Sequence, residues 1–278
     1  MRIDSYITLK KKKTMLDRII EHKKLVVENK KRKLPLETLM SSTRVFPLRS
    51  IVQKTREKKF IIIAETKKAS PSGGVFRKRY FPAKIAVSYE KAGASAVSVL
   101  TEDRYFFGCV EHLKAVKSSV KIPVLAKDFF IDKYQIYEAF VSGADCILLI
   151  LKILSGEEFI FLYRVARNLG LEVLVEVQNE KELSGFFKLL PEDSGVLLGI
   201  NSRNLGDLKI NFENTLRLLS LVKGVKIPII VESGIKSGRI LVDFCNAGAS
   251  GALIGTHLLR SKSPGIGLIS LLKEMNYG

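Results

Sequence analysis

The amino-acid sequence predicts an α/β fold, a single (β/α)8 barrel with an N-terminal helical extension, for three reasons. From residue 59 onward, eight short apolar runs rich in β-branched residues alternate with segments of helical period, the pattern of repeated βα units. The 278 residues suit one such barrel, because this fold takes about 250 residues. No G-x-G-x-x-G fingerprint follows the first run, as it would in an open dinucleotide-binding sheet. These features favour closure into a TIM barrel.

The eight predicted strands are apolar almost throughout, as expected of strands covered on both faces. They are 60–64, 96–100, 123–126, 145–150, 172–177, 196–200, 227–231 and 251–254. The predicted helices are 82–93, 109–119, 132–142, 155–169, 179–190, 211–223, 236–247 and 264–275. Asp132, Ser155 and Asn179 are predicted N-caps, because their side-chain oxygens accept hydrogen bonds from free backbone N–H groups. Helices are predicted to end at glycines in the left-handed conformation: Gly93, Gly143 and Gly248.

Residues 1–58 are predicted to form a basic helical extension, and residues 59–278 the catalytic barrel. Apolar residues recur at helical spacing among lysines between residues 14 and 34, which predicts an amphipathic helix packed on the barrel. They include Leu16, Ile19, Ile20 and Val27.

The formal net charge of +18 raises the alternative of a nucleic-acid-binding protein that uses a basic arm. Residues 1–59 hold 18 Lys and Arg against 6 Asp and Glu, so most of the excess lies in the extension. The sequence has no helix-turn-helix pattern and no aromatic-rich RNA-binding motif. We therefore expect no specific nucleic-acid partner, and only weak, salt-dependent adhesion.

Targeting and cysteine patterns predict a cytoplasmic enzyme. The N-terminal charges follow a mixed polar stretch, the reverse of a secretory signal, and no apolar run reaches the roughly 18 residues of a membrane span. Cys109, Cys146 and Cys245 are odd in number and far apart, so neither a disulfide framework nor a zinc site is indicated. We expect a monomer or weak homodimer without a metal.

Polar residues cluster where the predicted strands end, which is where the active sites of TIM-barrel enzymes lie. They are Glu65, Lys67, Ser70, Ser72, Lys127, Asp128, Asn201, Arg203, Glu232 and Ser233, with Glu176 inside the fifth strand. Glu176 interrupts an apolar strand, and an unpaired buried carboxylate is costly. It is either a structural ion-pair partner of a barrel lysine or a general acid or base.

Two lysines at this edge also have alternative roles. Lys127 keeps its proton beside carboxylates and then serves as a general acid, whereas alone in an apolar pocket it becomes an amine nucleophile that forms a Schiff base. Lys67 is suited to bind a substrate carboxylate. Either is otherwise an ordinary surface cation, which is common in a chain this basic.

The ends of strands seven and eight carry glycines that favour a phosphate site. Ser233 with Gly234, and Gly255 with Thr256, allow backbone N–H groups to approach an anion. Glycines at these positions also serve simply as turns.

Eight stretches, in this order and spacing, resemble the indole-3-glycerol phosphate synthase family along nearly the whole chain. They are 62–72 (IIAETKKASPS), 98–108, 123–132 (PVLAKDFFID), 144–150, 171–177 (LEVLVEV), 199–205 (GINSRNL), 231–235 (VESGI) and 253–256 (LIGT). The resemblance implies a phosphorylated small-molecule substrate, 1-(2-carboxyphenylamino)-1-deoxyribulose 5-phosphate. It undergoes ring closure, decarboxylation and dehydration in tryptophan biosynthesis, without a cofactor or metal.

The resemblance also implies a role for each site residue. Lys127 resembles the acid that protonates the sugar carbonyl, Glu176 the carboxylate of the dehydration step, and Lys67 the partner of the anthranilate carboxylate. The remaining matches are Glu65, Asn201, Glu232 and Ser233 as orienting groups, Ser70, Gly234, Gly255 and Thr256 at the phosphate, Arg203 as a polar site residue, and Phe129, Leu148 and Leu205 as apolar walls.

Overall fold

Eight parallel strands form a closed barrel in a computed structural model that describes residues 13–190 and 195–277. The first twelve residues of the predicted extension lie outside this part of the chain. The strands are β1 Ile61–Thr66, β2 Ala96–Leu100, β3 Val124–Lys127, β4 Cys146–Ile150, β5 Glu172–Val177, β6 Val196–Asn201, β7 Ile229–Glu232 and β8 Gly251–Ile254. Each strand pairs with its neighbours in the chain, and β1 closes the barrel against β8 with residues 61–64 opposite 251–254.

Helices cover the outside of the barrel, one after each of β1–β7 and two after β8, and three more precede it. They are α1 Met15–Lys33, α2 Leu36–Met40, α3 Ile51–Glu57, α4 Pro82–Lys91, α5 Val110–Ser119, α6 Lys133–Val141, α7 Gly156–Asn168, α8 Glu180–Leu189, α9 Phe212–Leu221, α10 Gly238–Asn246, α11 Thr256–Arg260 and α12 Pro264–Tyr277. A small hairpin, Ala69–Ser70 with Gly74–Val75, follows β1, and a 3-10 turn, Leu151–Ile153, follows β4. No helix in the described ranges is both long and apolar enough to span a bilayer.

The predicted barrel is confirmed, and the boundaries of its strands and helices differ from the prediction by no more than two residues. Asp132, Ser155 and Asn179 each cap a helix through a side-chain oxygen. The glycines predicted to end helices have φ values of 95°, 101° and 100° at Gly93, Gly143 and Gly248. These helix ends could be predicted from the sequence because capping and left-handed turns depend on only a few neighbouring residues.

Several strands extend beyond the apolar runs that predicted them, which corrects the placement of three polar residues. Glu65, Lys127 and Asn201 were expected to follow their strands, but they lie within β1, β3 and β6. Each pairs with a neighbouring strand, as Lys127 does with Leu100. Strand pairing continues through these residues because it depends on backbone hydrogen bonds, whereas each strand was predicted to end with its last apolar residue.

The N-terminal ends of the strands hold a buried ion-pair network around Asp145, which directly precedes β4. Both carboxylate oxygens of Asp145 lie 2.6 Å from Lys117 Nζ, and one lies 3.1 Å from a guanidinium nitrogen of Arg44. Burial lowers the pKa of Lys117 to about 8, although Asp145 opposes this shift. Because Arg44 also donates to the carbonyls of Phe140 and Ala144, the network attaches the segment before α3 to this end of the barrel.

A second contact at this end fixes α3. Glu172, the first residue of β5, accepts hydrogen bonds from the Ser50 hydroxyl and, at 2.6 Å, from the backbone N–H of Ile51. A carboxylate is favourable here because the first N–H groups of a helix are unpaired and the helix dipole is positive at its N-terminus. Ile51 is fully buried in the core inside the barrel, so α3 closes its lower end.

The opposite end of the barrel is covered by α1. Leu16 and Ile19 are buried in the same core cluster as Phe129, which follows β3. The ammonium of Lys23, although almost wholly buried, lies 2.9 Å from the carboxylate of Asp128. The basic helix therefore packs its apolar face beside the C-terminal ends of the strands, and an ion pair fixes its position.

Candidate active site

Four charged side chains from alternate strands converge inside the C-terminal end of the barrel. Glu65, Lys127, Glu176 and Glu232 come from β1, β3, β5 and β7 and follow inward-facing apolar residues by two positions. Residues two apart on a strand share a face, and alternate strands fill one layer of a barrel interior. The uppermost layer of this barrel is therefore ionic where the layers below it are apolar.

Lys127 is the centre of this layer. Its Nζ lies 2.6 Å from a carboxylate oxygen of Glu232 and 3.8 Å from one of Glu176. Burial alone would lower the pKa of Lys127, but the carboxylates of Glu232, Glu176 and Glu65 together outweigh it and raise that pKa. The ammonium therefore keeps its proton, which favours the predicted acid over an amine nucleophile.

Glu232 is a buried carboxylate whose ionisation is changed by its surroundings. Burial raises the pKa of Glu232 to about 7, with Glu176 and Glu65 acting in the same direction and Lys127 against them. One of its oxygens bonds to Lys127, and the other is buried without a protein hydrogen-bond partner. The sequence predicts a barrel lysine as one of two alternatives for the role of Glu176, as its ion-pair partner, but the carboxylate nearer to Lys127 is that of Glu232.

Two glycines make room for these carboxylates. A Cβ at Gly199 would lie 2.6 Å from Glu232 Oε1, and one at Gly255 would collide with Glu65 Oε1. Gly199 was not selected as a site residue from the sequence, because the space that it leaves is visible only across two neighbouring strands.

Two further groups orient the remaining charges. The Asn201 amide donates a hydrogen bond of 3.0 Å to Glu176 Oε1. Lys67, just beyond β1, forms a short ion pair with Glu65, so its ammonium faces the same cavity. Arg203 also lines the cavity; its backbone N–H donates to Asn201 Oδ1 and its guanidinium to the Leu208 carbonyl.

The cavity above these groups has a volume of about 330 Å³ and one apolar side. It is lined by the three residues predicted to form apolar walls, Phe129, Leu148 and Leu205. Further lining residues that were not predicted are Met15, Leu16 and Ile19 of α1 and Phe106 from the loop after β2. The aromatic side chains of Phe106 and Phe129 lie 6.3 Å apart between ring centroids. This side of the cavity is suited to an aromatic ring.

The other side of the cavity carries the residues predicted to hold phosphate. Ser233 and Gly234 have φ values of 70° and 78°, two successive left-handed residues at the end of β7. A serine in this conformation is strained, and such strain is concentrated at functional sites. Ser70, Gly255 and Thr256 line the same cavity, and the Ser70 Oγ also accepts a hydrogen bond from Gly73. Every predicted site residue is thus a lining residue of one cavity.

Comparisons with known proteins agree with this geometry. The family model described as indole-3-glycerol phosphate synthase matches residues 16–267. The indole-3-glycerol phosphate synthase of Aliarcobacter butzleri (strain RM4018) is 41% identical over 254 residues, which are 90% of this chain and 95% of that protein. The synthase of Campylobacter jejuni (strain RM1221) is 42% identical over 262 residues, 93% of this chain and 100% of the relative.

The chain belongs to the indole-3-glycerol phosphate synthase family. Members of this family are carboxy-lyases of tryptophan biosynthesis, so the family, function and enzyme class predicted from the sequence are confirmed.

Solved structures at lower identity show the shared fold of this family member. The tryptophan synthase α subunit of Legionella pneumophila str. Paris superposes with a TM-score of 0.60 at 14% identity, covering 83% of this chain and all of that chain. Thiamine phosphate pyrophosphorylase of Pyrococcus furiosus gives a TM-score of 0.57 at 16% identity, covering 80% of this chain and 98% of that chain.

One cluster of metal-ligating types occurs within residues 13–190 and 195–277, and it lies where α1 meets the loop after β2. It consists of His22, Glu102 and Asp103. Its ligand atoms already have partners, because Asp103 pairs with His22 at 3.0 Å and with Lys23 at 3.7 Å, and Glu102 accepts backbone N–H groups. We interpret it as part of the contact that holds α1.

Proposed function

We propose that the converging ionic layer carries out the indole-3-glycerol phosphate synthase reaction on 1-(2-carboxyphenylamino)-1-deoxyribulose 5-phosphate. The observation that supports this most directly is the Lys127 ammonium, held between Glu232 and Glu176 beneath a cavity with one apolar side. A protonated lysine in a closed site is suited to act as a general acid.

In the first step, Lys127 donates its proton to the sugar carbonyl oxygen while the aromatic carbon that bears the carboxylate attacks the carbonyl carbon. Before this step, Glu232 and Glu176 stabilise the Lys127 ammonium, so that its proton is available beside the carbonyl oxygen. Lys67 binds the anthranilate carboxylate until carbon dioxide leaves, and the electron pair of the broken C–C bond then restores the aromatic ring.

In the last step, the hydroxyl group leaves as water with a proton transferred from Glu176, whose charge then stabilises the developing iminium. The carboxylate takes up the carbon-bound proton that is lost when the indole forms. Asn201 fixes the carboxylate for this role through the hydrogen bond to Oε1. Glu65 orients Lys67, while Ser233 and Arg203 contribute polar contacts to the sugar.

We propose that the substrate phosphate lies against Ser70, Gly234, Gly255 and Thr256, opposite the apolar side. Backbone N–H groups at the ends of β7 and β8 are favourable partners for an anion, and TIM barrels commonly bind phosphate there. The aromatic ring then lies among Phe129, Leu148 and Leu205. A substrate with one anionic and one aromatic end fits this polarity of the cavity.

The test is turnover by the purified protein, measured as indole fluorescence after addition of the arylamino-deoxyribulose phosphate alone. We expect Lys127→Met and Glu176→Gln each to lower kcat by about 10² to 10⁴, the usual contribution of a positioned acid or base. Lys133→Met, a change at an exposed lysine of α6, serves as the control and retains activity. Full activity of either site variant would remove that residue from the mechanism.

A Schiff base on Lys127 is the alternative that this site disfavours, because the raised pKa keeps the nitrogen protonated. Borohydride reduction during turnover tests it. Substrate trapped covalently on Lys127 would refute the acid role.

We also propose that residues 1–58 form an extension to a catalytic barrel of residues 59–278, and that the chain acts in the cytoplasm as a monomer or weak homodimer. The burial of the apolar face of α1 on the barrel supports the first point. Light scattering across a concentration series tests the oligomeric state, with a mass that stays at one chain or rises only at high concentration.

A further inference from the structure

Gln178 lies beside the proposed catalytic carboxylate without belonging to the charged layer. It follows β5 directly and is two residues from Glu176, so their side chains share the inward-facing side of the chain. Its side chain is buried, and only 7% of the residue is exposed.

The amide group of Gln178 bridges the carboxylate and a loop. Its Nε2 donates to Glu176 Oε1 at 3.1 Å, while its Oε1 accepts from the backbone N–H of Leu205 at 3.2 Å. The Lys152 ammonium lies 3.4 Å from the same Oε1. Because a backbone N–H and an ammonium can only donate, the amide oxygen must face them, and the NH2 group must face Glu176.

This arrangement distinguishes the two oxygens of Glu176. Oε1 accepts from two amides, Gln178 and Asn201, whereas Oε2 is the oxygen 3.8 Å from Lys127. Hydrogen bonds to a carboxylate favour its charged form and restrict its rotation. Removing one amide would therefore alter both the ionisation and the orientation of the carboxylate.

The same two amides also hold the loop after β6. Asn201 Oδ1 accepts from the N–H of Arg203 at 2.9 Å, and Gln178 Oε1 accepts from that of Leu205. Leu205 is part of the apolar side of the cavity. The loop that contacts the aromatic ring of the substrate is thus joined to the Glu176 carboxylate through the buried amide of Gln178.

We infer that Gln178 is a positioning residue for Glu176 and connects that carboxylate to the loop that contacts the aromatic end of the substrate. This inference rests on the proposed role of Glu176. Nothing in the sequence indicates this role, because Gln178 follows a strand as an ordinary polar residue at a helix start.

Two substitutions separate the halves of the bridge. Gln178→Glu keeps an acceptor for the Leu205 N–H and the Lys152 ammonium but loses the donor to Glu176. Gln178→His retains one donor and one acceptor in the neutral imidazole. The matched control is Asn179→Ala, which removes the exposed N-cap of α8 next in the chain without a contact to Glu176.

The measured quantity is the pH dependence of kcat, obtained from indole fluorescence. The change in kcat is compared with the change in KM. Around Glu176 the charged groups are Glu65 of β1, Lys127 of β3, Glu232 of β7, Lys152 of the 3-10 turn and Glu182 of α8. None of them changes in these variants. Gln178→Glu adds a carboxylate beside Glu176 and Gln178→His adds a titratable imidazole, so the uncharged variant Gln178→Met is measured with them. A shift that Gln178→Met shares with Gln178→Glu reports the lost donor.

We expect Gln178→Glu to lower kcat roughly 10- to 100-fold, the value of a hydrogen bond to a charged group. The acidic limb of its profile should move upward by about one pH unit or more, with a smaller change in KM. Gln178→His should restore most of the rate, and Asn179→Ala should lower only the melting temperature. Gln178→Met, which lacks the donor and carries no charge, should move the acidic limb upward by a smaller amount. If Gln178→Glu does not fold, Gln178→Met alone provides the test.

An unshifted acidic limb, or a loss of rate that Asn179→Ala reproduces, would overturn the inference. Glu176→Gln separates this outcome from failure of the proposed function. If that variant is strongly impaired while Gln178→Glu resembles the unmodified enzyme, only the inference fails. If Glu176→Gln is fully active, the proposed role of Glu176 fails, and the inference fails with it.

Discussion

Replacing Glu232 by glutamine tests whether the carboxylate nearest to Lys127 controls the pH dependence of the enzyme. Burial raises the pKa of Glu232 to about 7, and its charged form lies 2.6 Å from the Lys127 ammonium. As the pH falls through about 7, this carboxylate gains a proton and the ammonium loses its nearest anion. We therefore expect kcat/KM, which reports the free enzyme, to fall from a high plateau to a low one.

The size of the step follows from the contact that is lost. A hydrogen bond between charged groups contributes about 1.5–3 kcal/mol, which corresponds to about 10- to 150-fold in rate at 1.4 kcal/mol per factor of ten. Glu232→Gln keeps the shape of the side chain but carries no charge at any pH. Its kcat/KM should equal the low plateau and stay flat between pH 6 and 8.

The assay is the initial rate of indole fluorescence at substrate concentrations below KM, across that pH range. Glu180→Gln, the same change at an exposed carboxylate paired with Arg217 on the surface, is the control and should keep the normal profile. If Glu232→Gln retains a step near pH 7, the ionisation belongs to another group, such as the substrate phosphate, and the reasoning is refuted.

Three other predictions concern stability and access. Lys117→Met should lower the free energy of unfolding by about 3 kcal/mol, because Asp145 loses a buried partner; denaturant titration should show this, and kcat should not change. Gly199→Ala should displace Glu232, since the new Cβ would lie 2.6 Å from its Oε1. A kcat/KM reduced by less than about threefold would contradict that clash, since a lost charged hydrogen bond costs more. Lys23→Met removes the ion pair that fixes α1 beside the cavity; we expect KM to rise more than kcat falls, and limited proteolysis to cleave this helix sooner. Unchanged KM and proteolysis would show that apolar packing alone holds the helix.

Much of the site could be predicted because a parallel barrel has a simple rule of placement. The C-terminal ends of all strands meet at one end, so any polar residue at such an end is a candidate. Glu176 is the clearest case, since a carboxylate in an apolar strand requires an unusual environment. The same rule placed Lys127 and Glu232 at one edge without giving their distance.

The residues missed by sequence reasoning act through space rather than through a motif. Gly199 matters because of a carboxylate on the neighbouring strand, and Phe106 because its loop folds over the cavity. The cavity contacts of Leu16 and Ile19 were also not predicted. Their helical spacing indicated an apolar face packed on the barrel, but not which of its side chains would line the cavity.

The order of strands and helices, their caps and the chemical types at the strand ends were determined by the sequence itself. Those features depend on local backbone conformation and on periodic burial, which a linear sequence expresses directly. The tertiary structure alone decided that Glu232, rather than Glu176, is the nearer partner of Lys127, and that Gln178 bridges a carboxylate and a loop. These contacts depend on ångström-scale distances between side chains of separate strands. At such distances inside a protein, burial and neighbouring charges change the free energy of an ionised group by more than a local conformational preference does.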